Sequence, residues 1–115
     1  MRRPLEGFER WDVVSVPFPY TNRPIEQRRP ALVVGRCGGD GAPVFLWVLM
    51  ITSAAHRRWV GDVEIGDLGA AGLPAASIVR TVKIATVEDV TARRLGTLDE
   101  ETRLAVDDSI RASLR

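Results

Sequence analysis

The sequence predicts a mainly β (α+β) protein, a small β-barrel or strongly coiled sheet with one α-helix laid on it at the C-terminus. Three observations predict it. Short runs of β-branched and other apolar residues recur from residue 11 to residue 98, divided by proline- and glycine-rich stretches. No helix of crossover length separates the first runs, which disfavours a parallel βαβ arrangement. The apolar period then changes from two to about 3.6 only after residue 99.

The elements follow in order. Residues 11–17 (WDVVSVP) read as a strand that Pro17 and Pro19 end, because neither nitrogen can donate to a ladder. Residues 18–27 (FPYTNRPIEQ) read as a ten-residue loop, longer than a hairpin needs, and such loops tend to carry function. Residues 29–36 (RPALVVGR) form a second strand, and 37–42 (CGGDGA) a glycine-rich turn. Residues 43–51 (PVFLWVLMI) are the strongest strand signal, a nearly continuous apolar run suited to a sheet centre. Thr52 and Ser53 follow, then a stretch to Val60 with no clear period. Residues 62–65 (DVEI) suggest a short strand, 66–76 a second long loop, and 77–86 (SIVRTVKIAT) a strand with a break near Thr81. Residues 88–91 suit one helical turn and 93–98 a last strand.

The helix is predicted over residues 100–114. Val106, Ile110 and Leu114 are four apart and so share one face. Asp99 is a good N-cap. Glu100 and Glu101 then suit the positive end of the helix dipole, and Arg111 and Arg115 the negative end.

Composition excludes several classes. The 115 residues fit one domain, 1–115, and the longest apolar run, residues 44–51, is far short of the ~20 residues that span a bilayer. Arg2 and Arg3 are followed by no apolar segment, so a signal peptide is not expected. Cys37 is the only cysteine, which forbids an internal disulfide and suits a reducing, cytoplasmic setting. His56 is the only histidine, and no carboxylates cluster with metal-ligand spacing, so neither metal nor cofactor is expected. The net charge of +1 hides an asymmetry: residues 1–60 hold nine Arg against five acids, and residues 61–115 hold seven bases against ten acids.

Three places suit chemistry on an anion. Arg28 and Arg29 lie where a mobile loop meets a fixed strand, a good setting for a phosphate clamp, or equally a solvated pair flanking an apolar strand. Thr52 and Ser53 end the most buried strand, where hydroxyls either bind an anion or merely terminate the strand. His56, Arg57, Arg58 and Trp59 combine an imidazole with two guanidiniums and an indole, which read as an RNA-gripping cluster or as a basic surface loop. No phosphate-binding glycine loop and no nucleophile elbow are present. RNA cleavage needs neither, because the substrate brings its own nucleophile, the 2′-OH.

The segments DVVSVPFPYT (12–21), RRPALVV (28–34), MITS (50–53), GLPAASIVRTVKI (72–84) and RLGTLD (94–99) together resemble the MazF/PemK-like toxins of type II toxin–antitoxin systems. The resemblance spans roughly residues 10–114, with residues 1–9 as an N-terminal extension. It implies an SH3-like barrel of five to seven strands with a C-terminal helix, usually a homodimer. It implies a metal-independent endoribonuclease that cuts single-stranded RNA at short motifs, leaving a 2′,3′-cyclic phosphate and a 5′-hydroxyl. The RNA would be mRNA, with tRNA and rRNA as further candidates, and a cognate antitoxin would cover the site. Carried over by position, the family's catalytic arginine and threonine fall on Arg29 and Thr52. Ser53, Gln27 and Arg28 would support them, Glu26 is a candidate base, and the loop with Thr21 and Asn22 would help read bases; Arg57 and Arg58 of the basic cluster are further substrate-binding candidates. Trp11 stands where many members have glycine. Two other functions live on this fold class, a gyrase-poisoning toxin that cuts nothing and a non-catalytic RNA-binding module.

Overall fold

A computed structural model of the chain describes residues 7–17 and 27–115. The proposed base-reading residues Thr21 and Asn22, and Glu26, lie outside the described residues. Among the described residues, six strands form one antiparallel sheet: β1 (Asp12–Pro17), β2 (Arg28–Gly38), β3 (Val44–Ser53), β4 (Asp62–Glu64), β5 (Ser77–Glu88) and β6 (Arg93–Thr97). Their order across the sheet is β4-β5-β3-β2-β1-β6. The edges β4 and β6 are not bonded to each other, so the small barrel or strongly coiled sheet that the sequence predicts takes the form of an open antiparallel sheet. Helix α2 (Glu100–Ser113) ends the chain.

β3 reads as almost unbroken apolar sequence because it is buried on both faces. Leu49 and Ile51 join Val13, Leu32, Val79 and Leu98 in one core, onto which α2 packs Val106. Leu46, Val48 and Met50 join Val14, Val16, Ala31 and Val33 in a second core on the opposite side. The helix face differs from the expected stripe at its end. Val106 is buried and Ile110 packs against the core, but Leu114 lies beyond the last turn and is 74% exposed. Thr102 is buried in its place, one turn before Val106.

Asp99 caps α2 as predicted. Its carboxylate accepts from the Thr102 amide at 3.1 Å and the Thr102 hydroxyl at 2.7 Å, and also from the Asp67 amide at 3.2 Å. Asp67 in turn caps a four-residue helix, α1 (Leu68–Ala71), inside the segment that the sequence suggested was loop. One carboxylate therefore joins the starts of both helices. At the other end of α2, the Thr81 and Ser109 hydroxyls both donate to the Gly61 carbonyl, at 2.9 and 2.6 Å, fastening the helix to β5 and the turn before β4.

Two glycines let α1 and β6 approach to backbone contact. A Cβ at Gly96 would collide with the Ala70 carbonyl oxygen, and one at Gly72 with that of Leu95. Gly72 also holds φ +71°, in the left-handed region that ends α1. Gly72→Ala is therefore expected to cost at least about 2 kcal/mol, seen as a thermal midpoint lowered by roughly 8 °C or more. An unchanged midpoint would mean that this contact relaxes freely.

Trp11 also holds a positive φ, 80°, which favours glycine and costs an ordinary residue about 1–2 kcal/mol. The conformation explains why a glycine suits this position. Here the indole offsets the strain by packing on the first core, with the Arg10 guanidinium 4.5 Å above the ring.

Candidate functional site

β2 and β3 pair from Gly38↔Val44 as far as Ala31↔Met50 and then separate. Pro30 comes next and pairs only with Ser15 of β1. Its nitrogen has no proton for a further ladder bond, so the proline falls where the two central strands part. Extending the register by two residues, from 31 opposite 50, puts Arg29 opposite Thr52, each on the same sheet face as its partner two places back. β3 meanwhile stays bonded to β5, through Thr52↔Ile78 and Ser53↔Ser77. The sequence thus plants an arginine and a threonine across a splayed strand end, each on rigid backbone.

An open cleft of about 510 Å3 occupies this place. Arg29 and Pro30 form one side, Met50 to Ser53 the floor, and residues 73–77 the opposite wall. The wall is tied to the floor by the Ala54 amide, which donates to the Ala76 carbonyl at 2.9 Å. His56, Arg80 and Lys83 complete the lining. Among the described lining residues are Arg29, Lys83 and Arg80, the last with its guanidinium paired to Asp62, and no carboxylate. Such a cleft suits an anion. Among the described residues, no three His, Cys, Asp or Glu side chains gather as a metal site would need.

The candidate residues divide. Arg29, Thr52 and Ser53 come together in the cleft. Gln27 supports Arg29, its side-chain oxygen lying 3.4 Å from a guanidinium nitrogen. Arg28 does not line the cleft. It donates to the Ser15 hydroxyl at 2.9 Å and to the carbonyls of Ser15 and Thr91 at 2.6 and 2.7 Å. Strand alternation is the reason: neighbours on one strand point to opposite faces. Arg28 therefore braces β1 against the turn before β6.

The cluster of residues 56–59 is dispersed in the same way. His56 turns back to Thr52, its Nδ1 lying 2.7 Å from Oγ1. Arg57 and Arg58 are exposed and do not line the cleft; Arg58 is ion-paired with Glu64, and Arg57 lends its carbonyl to Arg80 at 2.7 Å. Trp59 carries the Arg80 guanidinium over its ring at 3.9 Å.

Arg80 and Lys83 line the cleft beside an irregularity in β5, near the break at Thr81 that the sequence suggests. While β3 advances from Leu49 to Ile51, β5 runs from Ile84 back to Val79. The surplus residues bulge out of the ladder, and Arg80 is only 8% exposed. Its guanidinium donates to both Asp62 oxygens, at 3.2 and 3.0 Å. Burial alone would raise the Asp62 carboxyl. Hydrogen bonds from Arg80 and the Trp59 amide, with the charges of Arg80 and Arg58, outweigh it and hold the group below its ordinary range. Asp99 is likewise lowered: burial opposes ionisation, but the bonds from Thr102 and from backbone amides prevail.

These two carboxylates set an acid limit. Their folded-state pKa lies below the unfolded value, so their stabilisation is complete above the unfolded value and is lost as pH falls through the folded one. Thermal midpoints are expected to hold near neutrality and to drop below about pH 4. Asp99→Asn should lower the midpoint at pH 7 and flatten the acid decline. A variant as acid-sensitive as the parent would remove Asp99 from this account.

Paired central strands that part around an arginine and a threonine, with more cations on β5, define a class: a small antiparallel β protein with a cationic, hydroxyl-bearing cleft at one strand end. Across residues 9–114 the chain matches the model of the PemK-like, MazF-like toxins of type II toxin–antitoxin systems, and it belongs to that family. Solved structures of the same fold include an endoribonuclease in complex with its cognate antitoxin from a mycobacterial species, at a TM-score of 0.69 and 15% identity over 93% of this chain and 94% of that one. Another is the Mycobacterium tuberculosis toxin MazF-mt6, at 0.66 and 18% over 88% and 93%. A third is a MazE–MazF structure from Deinococcus radiodurans, at 0.64 and 18% over 90% and 91%. No curated protein matches the chain. Among the described residues no helix is long and apolar enough to cross a membrane.

Proposed function

We propose that this chain is the toxin of a type II pair and acts as an endoribonuclease on single-stranded RNA, using side chains alone. The observation that carries the reading is the placement of Arg29 and Thr52 across the parted ends of β2 and β3, in one cationic cleft. A phosphodiester is the anion that such a cleft suits, and RNA supplies the attacking oxygen. Arg29 presents a planar fork to the phosphate and stabilises the charge of the pentavalent intermediate. An arginine stays protonated at any physiological pH, so electrostatics is its role rather than proton transfer. Thr52 donates to a phosphate oxygen, and Ser53 is a second hydroxyl beside it. The attack closes a 2′,3′-cyclic phosphate and releases a 5′-hydroxyl.

Two partners belong to the reading. A second copy of the chain would extend a cleft that is shallow in one small domain, and a cognate antitoxin would cover it, as suits a family whose solved relatives include antitoxin complexes. The test is direct: purified protein, single-stranded RNA and EDTA. Cleavage in EDTA supports the reading. Absence of cleavage, together with trapped gyrase–DNA complexes or with RNA binding alone, would replace it.

A further inference from the structure

The cleft needs a group that accepts the 2′-OH proton, and neither an arginine nor a threonine does this near neutrality. His56 is in position. β3 ends in a tight turn in which the Ser53 hydroxyl accepts from the Ala55 amide at 3.1 Å and the Ser53 carbonyl accepts from the His56 amide, also at 3.1 Å. The turn brings the chain back over the strand end. It sets the ring's Nδ1 2.7 Å from Thr52 Oγ1.

Other charged residues line the same cleft. Arg29 comes from β2, and Arg80 and Lys83 come from β5. Arg57 and Arg58 adjoin His56 in sequence. Among the described residues, Asp62 is paired with Arg80 and Glu64 with Arg58, and no carboxylate lines the cleft. Among the described lining residues, His56 is the one imidazole, the side chain most often used as a general base.

We infer that His56 is the general base of the reaction, an assignment that rests on the RNA-cleavage reading above. Its Nδ1–H donates to Thr52 Oγ1, which leaves the Thr52 hydroxyl proton for a phosphate oxygen and the Nε2 lone pair for the substrate. Nε2 takes the proton of the 2′-OH as the 2′-oxygen bonds to phosphorus. The bond from phosphorus to the 5′-oxygen breaks, and that oxygen takes a proton from water at the open mouth of the cleft. The imidazolium then returns its proton to solvent, so no proton is gained or lost overall. One histidine thus serves twice, fixing the rotamer of Thr52 and accepting the proton.

The experiment is the pH dependence of kcat/KM on an RNA that the wild type cuts, for wild type, His56→Gln, His56→Ala and Glu26→Gln. The wild type should show an acid limb that reports protonation of its base. His56→Gln, which retains a hydrogen-bonding side chain for Thr52, should be slower by about 10²- to 10⁴-fold and lose that limb. Added imidazole should restore part of the His56→Ala rate. His56 is exposed, so neither variant should change the thermal midpoint. Full activity and an unchanged profile in His56→Gln would overturn the assignment, as would loss of the acid limb in Glu26→Gln alone. A wild type that cuts no RNA would instead defeat the underlying reading, and the base assignment with it.

Discussion

Replacing Arg29 with alanine is expected to slow cleavage of single-stranded RNA by about 10²- to 10³-fold, the usual scale for one donor aimed at a transition-state oxyanion. The side chain is exposed and sits at the start of β2, so the fold should tolerate the change. Arg29→Lys should recover only part of the loss, because an ammonium keeps the charge but not the planar fork. Thr52→Ala is expected to lose at least about 10²-fold, and Thr52→Ser much less, because serine restores the hydroxyl. The double variant should be no slower than a small multiple of the worse single, since groups acting on one phosphate are not additive. Single-turnover rates on one RNA check all five. Full cleavage by both alanine variants would remove the strand-end pair from the site.

The second large effect is structural. Asp62→Ala is expected to destabilise the fold by about 3–5 kcal/mol, because it leaves the Arg80 guanidinium buried without its carboxylate. Side-chain exposures of 9% for Arg80 and 1% for Asp62 put this pair well beyond surface ion pairs such as Arg10–Asp107. Asp62 also accepts from the Trp59 amide at 2.8 Å, so the loop that leads back from His56 would lose its anchor. Replacing both partners, Asp62→Leu with Arg80→Met, should recover much of the loss, since a buried pair is often no more stabilising than apolar side chains of similar volume. Urea unfolding distinguishes these outcomes. A loss under about 1 kcal/mol for Asp62→Ala would place the pair among ordinary surface contacts.

Much of the architecture was legible because it is written in local pattern. The apolar run of β3, the glycines between β2 and β3, and the Asp99 cap each act within a few residues, and each lies where the pattern puts it. Pro30 is more instructive. In the sequence it is part of a strand; in the fold it marks where β2 and β3 part and so makes the cleft. Resemblance and end positions single out Arg29, Thr52 and Ser53 as candidates, and the fold brings them to one cleft, whereas Arg28 and Arg29 look equivalent until strand alternation separates their faces.

The remainder is non-local. Nothing near Arg80 in the chain says that it will be buried on Asp62 and Trp59, because that depends on a register irregularity between β3 and β5. The link between His56 and Thr52 was within reach, four residues apart, but it needed the Ser53 turn to become visible. Helix α1 is too short to show a period, and three glycines and a proline in residues 66–76 hide it.

The central claim is that this cleft cuts RNA through the substrate's own 2′-oxygen, with side chains and no metal. Mapping the termini of RNA cut by the purified protein in EDTA tests it most directly, with a matched substrate carrying 2′-deoxyribose at the cut. The account predicts 2′,3′-cyclic phosphate and 5′-hydroxyl ends, and no cutting of the deoxy-substituted site. Ends bearing a 5′-phosphate, cleavage that stops in EDTA, or undiminished cutting at the deoxy position would contradict it.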